Sequence, residues 1–176
     1  MKVTKLGWSA YLIAAAAVVL DQASKFWILN VFDLPLKGSV PVAGPFHLTM
    51  VWNRGVSFGL LRADVDTARW ALAAFSIIVS IFLAVWARKS TRKLTAVALG
   101  LVMGGAIGNV IDRIRFGAVA DFLDFSRLYF PWIFNVADAA ITIGIVILLL
   151  DMLLQEKEAA PKEASDAGRK PQRDAV

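Results

Sequence analysis

Four segments of this chain approach the ~20 consecutive apolar residues that a helix needs to cross a bilayer. They run at about Trp8–Leu29, Ala68–Ala87, Leu94–Ile111 and Val136–Leu154. Lipid leaves no water for unpaired backbone groups, so helical spans are the economical solution. The expected architecture is therefore an α-helical integral membrane protein with four transmembrane helices, one domain over residues 1–154. With 58% hydrophobic residues and a mean hydropathy of +0.63, the chain is too apolar for an ordinary soluble domain of 176 residues. Residues 155–176 are rich in Lys, Glu, Ala, Asp and Pro and are expected to form a charged, disordered tail.

Orientation follows from Lys and Arg near the span ends. Lys2 and Lys5 precede the first span, Arg88, Lys89, Arg92 and Lys93 join the second to the third, and Lys157, Lys162, Arg169, Lys170 and Arg173 follow the fourth. Four spans place these three regions on one side, so both termini are expected in the cytoplasm. The other loops hold Lys37, Arg54, Arg62, Arg115 and Arg127, so the bias is clear without being absolute. Because the basic residues cluster beside apolar segments, the net charge of +5 does not imply a nucleic-acid partner. Met1–Ala17 has the basic start and small residues of a cleavable signal peptide. Its apolar character continues to Leu20 and resumes at Phe26, too long for an h-region, so a retained span is expected.

The outer loops, about 30–66 and 112–135, are more than turns. "SVPVAGPFHLTMVWN" combines Pro and Gly punctuation with β-favouring residues and predicts a small extended or β-containing platform. "SRLYFPWIF" (126–134) fits an aromatic interfacial belt.

The polar residues inside the spans share one depth. Asp21 lies thirteen residues after Trp8, hence ~20 Å along an outward-running helix, with Lys25 one turn further on the same face. Asn109 is near the outer end of the third span, followed by Asp112 and Arg113, and Asp138 opens the inward-running fourth. Asp121 lies in the loop between those two spans. A charge at the membrane centre costs roughly 2.5–3.5 kcal/mol on insertion scales, so such convergence suggests a site. Each residue also has a structural reading. Asp21 and Lys25 form a favourable i,i+4 ion pair, and Asn109 can bond between helices. Asn135 can cap the fourth helix with Asp138 completing a capping box. The glycines of "GLVMGGAIGN" (100–109) read first as close helix packing, and Asp112, Asp124 and Arg115 as interfacial charges.

The available chemistry is narrow. The chain has no cysteine and one histidine, His47, which leaves no thiolate nucleophile, no disulfide and no basis for a multi-histidine metal site or a Ser-His-Asp triad in the membrane. Two carboxylates, Asp121 and Asp138, are the obvious pair. Held together they would share a proton, one activating water while the other assists at the substrate, with no metal, cofactor or covalent intermediate. The helix start favours ionised Asp138 and inclines it toward the base, although a coupled pair titrates as a unit. Spacing permits this dyad without establishing it.

The stretches "DQASK" (21–25), "NRGVSFG" (53–59), "GGAIGNVIDRIRFGAVADF" (104–122) and "FNVADAAITIG" (134–144) occur in this order across the whole chain except its tail. Together they resemble lipoprotein signal peptidase, or signal peptidase II, a bacterial membrane aspartyl protease family with four transmembrane helices. The resemblance implies Asp121 and Asp138 as the catalytic aspartates. It implies Asn53, Asn109 and Arg113 as residues orienting the substrate backbone and the dyad, and Asp21, Lys25 and Asn135 as further polar support. Gly55, Gly105, Gly108 and Ala137 fall within the same motifs as supporting positions. Ser57 and Ala139 sit where the family varies among small residues, and no departure falls at a disabling position.

The substrate implied is a diacylglyceryl-modified prolipoprotein, cut just before the lipid-modified cysteine. The implied setting is the bacterial cytoplasmic (inner) membrane, with membrane lipid around the site and globomycin-type cyclic peptides as inhibitors. A monomer is expected. Two other classes compete. A transporter with Asp21, Asp121 and Asp138 as a relay needs a path across the membrane, yet the inner halves of the spans are almost wholly apolar. In a non-enzymatic assembly protein or chaperone the aspartates would be incidental. The presenilin-type GxGD motif is absent from the sequence.

Overall fold

The computed structural model describes residues 2–55, 65–128 and 132–167. Its helices are α1 (Lys5–Phe26), the four-residue α2 (Leu34–Lys37), α3 (Val65–Ala87), α4 (Lys93–Phe116) and α5 (Val136–Ala167). A π-helical turn, Trp27–Val31, prolongs α1. Strands β1 (Ser39–Ala43), β2 (Phe46–Asn53), β3 (Val119–Asp124) and β4 (Ile133–Phe134) form one antiparallel sheet in that order. The four long apolar helices and the expected β-containing platform are thus both present.

Among the described residues, four stretches are long and apolar enough to cross a membrane: Lys5–Val31, Asp66–Ala87, Lys93–Phe116 and Val136–Gln155. Of the apolar window in α4, 61% is buried, against 22% in each of the others, so α4 is the central helix. Its glycines make that possible. A Cβ on Gly104 would lie 2.6 Å from the Ala14 carbonyl oxygen of α1, and one on Gly105 would lie 2.3 Å from that of Ala137 on α5. Close packing, the reading expected for this glycine run, is what the structure contains.

Both ends of the bundle are pinned by polar contacts. Thr4 caps α1 by accepting the Gly7 N–H, and its hydroxyl and N–H donate to the carbonyls of Ser90 and Arg88 in the α3–α4 connection. Nearby, buried Asp151 of α5 accepts from Arg92 at 2.8 Å and from Thr95. This cluster is an exception to the expectation that the spans' inner halves are almost wholly apolar. At the other end α4 runs past Ile111 to Phe116 and stops at Gly117, whose φ of 76° suits a residue without Cβ.

The backbone of α5 is helical past Leu154 to Ala167, and residues 168–176 lie outside the described residues. One expectation changes. Asp112 and Asp124 are not interfacial charges, because both are buried. Arg115 does remain exposed, stacked 4.9 Å from the Phe116 ring.

Candidate active site

The sheet brings the first carboxylate to the bundle. β2 pairs with β3 so that Val51 faces Asp121 and Asn53 faces Val119. Asp121 is only 2% exposed, and its strand is an inner one, lying between β2 and β4. Asp138 arrives from the first turn of α5. There Asn135 Oδ1 accepts the Asp138 N–H at 2.9 Å, and Asp138 Oδ2 accepts the Asn135 N–H at 3.3 Å. This reciprocal exchange is a capping box, and it fixes the Asp138 side chain at the helix start.

Three asparagine amides connect the carboxylates. Asn53 Nδ2 donates to Asp121 Oδ2 at 3.0 Å, Asn135 Nδ2 to Asp121 Oδ1 at 2.6 Å, and Asn109 Nδ2 to Asp138 Oδ1 at 2.7 Å. The polarity of each amide is set by an obligate donor on its oxygen. The Gly55 N–H occupies Asn53 Oδ1 at 2.8 Å, the Asp138 N–H occupies Asn135 Oδ1, and the Lys25 ammonium occupies Asn109 Oδ1 at 3.3 Å. An ammonium or a backbone N–H cannot accept, so each NH2 group must turn toward a carboxylate. Gly55 reaches its place with a φ of 80°, where a Cβ would also lie 2.2 Å from Leu72.

Beneath the amides lies a buried ionic knot. Lys25 Nζ is 2.9 Å from Asp21 and 2.8 Å from Asp112, and all three side chains are nearly inaccessible. Asp21 Oδ1 also accepts the Ala137 N–H of α5 at 3.0 Å, and Asp112 Oδ2 accepts the Ala120 N–H of β3 at 3.1 Å. One aspartate therefore anchors the residue before Asp138, and the other anchors the residue before Asp121. Gln22 closes the knot, donating to Asp21, Asp112 and the Gly108 carbonyl. Gly108 has no room for a side chain, since a Cβ there would lie 2.5 Å from Asp21 Oδ2.

Arg113 donates to the Asn109 carbonyl at 3.4 Å and lies within electrostatic reach of Asp138, Asp112 and Asp121. Of the residues singled out in the sequence, Asp21, Lys25, Asn53, Asn109, Arg113, Asp121, Asn135 and Asp138 thus converge. Gly55, Gly105, Gly108 and Ala137 support them through backbone contacts. Ser57 lies outside the described residues. Gln22 and Asp112 were not singled out for the site. Asp112 continues the stripe Gly105, Gly108, Asn109 on α4 at helical spacing, the one signal that could have drawn it in.

Burial, together with the neighbouring Asp138 carboxylate, pushes the Asp121 carboxyl up to about 6 from 3.8. Asp124, three residues along the same strand, goes the other way. Burial would raise it, but hydrogen bonds from Ser126 and Thr49 outweigh that and hold it below the usual carboxylate value. Of these two carboxyls on β3, Asp121 thus holds its proton to the higher pH. Asp121, Asp138 and Asn53 line a single cleft of about 570 Å³, whose wall continues along α5 through Ala139, Thr142 and Ile143. A paired carboxylate site opening onto an apolar helix face can activate water beside a chain segment lying along that helix.

Comparison with known proteins gives a consistent result. Residues 13–154 match the family model described as signal peptidase (SPase) II. A lipoprotein signal peptidase of Caulobacter vibrioides is 57% identical over 89% of this chain and 94% of its own. One of Rhodopseudomonas palustris is 44% identical over 81% and 90%. A bacterial membrane enzyme solved by the in meso method at 2.3 Å superposes with a TM-score of 0.70 at 28% identity, covering 99% of this chain and 98% of that one.

Proposed function

This chain belongs to the signal peptidase II family of aspartic peptidases, and from that premise we propose that it removes signal peptides from lipoprotein precursors, using Asp121 and Asp138 to activate water. The scissile bond is the one before the diacylglyceryl-modified cysteine. The observation that carries this reading is the shared cleft: two carboxylates, each held by amides of fixed polarity, face one cavity beside an apolar helix wall.

In the proposed cycle the pair holds one proton, on Asp121. Asp138, at the start of α5, takes a proton from water as the oxygen attacks the peptide carbonyl. Asp121 gives its proton to the carbonyl oxygen, producing a neutral diol. Collapse of the diol breaks the C–N bond, with Asp138 protonating the departing amine and Asp121 recovering the hydroxyl proton. Atoms and protons balance with no metal and no acyl-enzyme. Asn109 and Asn53 hold the carboxylates in position throughout, and Arg113 supplies compensating charge.

The distribution of Lys and Arg orients the sheet end of the bundle outward and both termini inward. In that orientation the signal helix lies among the spans, its cleavage point meets the dyad in the outer leaflet, and the acyl chains stay in lipid. Cyclic peptides of the globomycin type would compete for the same cleft.

The test is cleavage of a diacylglyceryl-modified prolipoprotein peptide by purified Asp121→Asn and Asp138→Asn variants. Each should lose at least ~100-fold in kcat, and a folded variant cutting at the normal rate would sink the dyad. The unmodified peptide should be a far poorer substrate. Equal turnover would overturn the substrate assignment while leaving the dyad standing.

A further inference from the structure

Strand β2 separates two cavities. Asn53 lines the carboxylate cleft, whereas its neighbours Trp52 and Arg54 line a second cavity of about 430 Å³ together with Asp66, Arg69, Phe116 and Gly117. Alternation of side chains along extended backbone accounts for the division. The second cavity lies between the first turn of α3 and the last residues of α4, where the spans end and the sheet begins. The Trp52 and Phe116 rings, 5.5 Å apart, are both partly exposed there. The Trp52 indole suits the membrane–water boundary.

Arg69 is firmly placed in this cavity. Its Nη2 lies 3.3 Å from Asp66 Oδ1, its guanidinium lies 4.7 Å over the Trp70 ring, and its Nη1 sits where a Cβ on Gly117 would come within 3.0 Å. Its Nε is nevertheless buried and meets no acceptor among the described residues. A buried donor left unmet costs about 1–3 kcal/mol, and one carried by a cation is best met by an anionic oxygen. Asp66 answers only another nitrogen of the group and is itself 68% exposed. Arg54 brings a second cation to the same space.

The geometry points to a binding site for the phosphodiester of a membrane glycerophospholipid. Its phosphate oxygens lie between Arg69 and Arg54, and its glycerol and upper acyl carbons lie against Trp52 and Phe116. A planar guanidinium matches phosphate better than an ammonium would. The aromatic wall at the span ends favours a lipid over a free anion. The site is on the opposite side of β2 from the carboxylate cleft, and it stands whether or not the dyad assignment holds.

Native mass spectrometry of the full-length protein in neutral detergent tests this, with phosphatidylglycerol, a diacylglycerol of the same chains and inorganic phosphate as probes. One phosphatidylglycerol should be retained that diacylglycerol cannot replace, and Arg69→Gln and Arg54→Gln should each weaken its binding about tenfold. Asp66→Asn, which removes the competing carboxylate, should tighten it. Lys89→Gln, just beyond the far end of α3, should leave this lipid in place. Unchanged retention in both arginine variants, or equal retention of diacylglycerol, would overturn the site. Release of the lipid by millimolar phosphate would overturn the lipid assignment. Arg54 is exposed, so its variant keeps the test decisive even if Arg69→Gln does not fold.

Discussion

Asn135 Nδ2 lies 2.6 Å from Asp121 Oδ1, tying the residue that caps α5 to the strand beside it. The oxygen of the same amide accepts the Asp138 N–H at 2.9 Å, so one side chain joins the Asp121 carboxylate to the Asp138 backbone. Capping and site assembly are therefore one arrangement. Asn135→Ala removes a helix cap, worth about 1 kcal/mol, and a donor that lowers the Asp121 pKa. The expected result is a fall in kcat on the order of 100-fold from misplacement, with the alkaline limb of the pH profile moved upward. A cap loss alone would lower the Tm and leave the profile where it was.

The raised Asp121 pKa makes a second prediction about pH. The carboxyl sits at about 6 in the folded protein against 3.8 ordinarily, so the folded state holds this proton more tightly than the unfolded one. The associated stability is fully present below 3.8 and is lost as pH rises through about 6. At pH 7.5 the ionised group costs up to ~3 kcal/mol. Asp121→Asn removes that cost but turns an NH2 group toward the Asn53 or Asn135 donor, so the net gain is smaller. Thermal unfolding of the variant and the parent in detergent should show a Tm difference that grows in the variant's favour from pH 4.5 to 7.5. A difference independent of pH would contradict it. Activity has the same sign: if Asp121 donates the proton, kcat/KM declines as pH rises through about 6.

The parts legible in the sequence were those governed by local rules. Span positions follow from unbroken apolar runs, and the common depth of Asp21, Asn109 and Asp138 follows from the rise per helical residue. The Asn135–Asp138 box follows from a three-residue spacing. The illegible parts depend on residues distant in the chain. Asp112 reads as an interfacial charge until α4 is seen to continue to Phe116 and Lys25 is found 2.8 Å away. The register placing Asp121 opposite Val51 includes an irregularity between Leu48 and Val51 that no alternation pattern reveals. The burial of Asp151 is equally nonlocal, since its partners Arg92 and Thr95 lie far back along the chain.

Lys25 balances two buried aspartates, so the loss of its charge should be felt through both. Lys25→Met keeps the volume but strips the charge from Asp21 and Asp112, which are both fully buried. Breaking a buried pair from one side costs about 3–5 kcal/mol, enough to threaten folding. Asp112→Asn is milder, because the amide oxygen can still accept the Ala120 N–H. It should yield a folded protein with a lowered Tm and a lowered kcat, since the tether on β3 is weakened. Normal activity in that variant would show that the Ala120 contact does not position Asp121.

Gly108→Ala tests the closeness of α1, α4 and α5 at the site. The new Cβ would lie 2.5 Å from Asp21 Oδ2 and 3.3 Å from the Ala137 Cβ. Asp21 has no easy retreat, because Lys25, Gln22 and the Ala137 N–H all hold it. Overpacking of this kind costs about 1–3 kcal/mol, and the displacement should pass through Ala137 to Asp138. Loss of stability and kcat together is expected. A variant with unchanged Tm would mean that the helices separate freely there.

Asp151 provides the contrast that distinguishes bracing from site chemistry. It is 1% exposed and joins Arg92 and Thr95 at the end of α5 opposite the carboxylate pair. Asp151→Ala leaves the Thr95 hydroxyl and the Arg92 guanidinium without this acceptor. Arg92 is 32% exposed and can reach water, so the penalty should be about 1–3 kcal/mol rather than that of a wholly buried ion. The expected outcome is a Tm several degrees lower, with kcat per folded molecule and the pH profile unchanged. A shifted profile would mean that the cluster communicates with Asp121 and Asp138 along α4 and α5, and the separation between the two ends of the bundle would have to be abandoned.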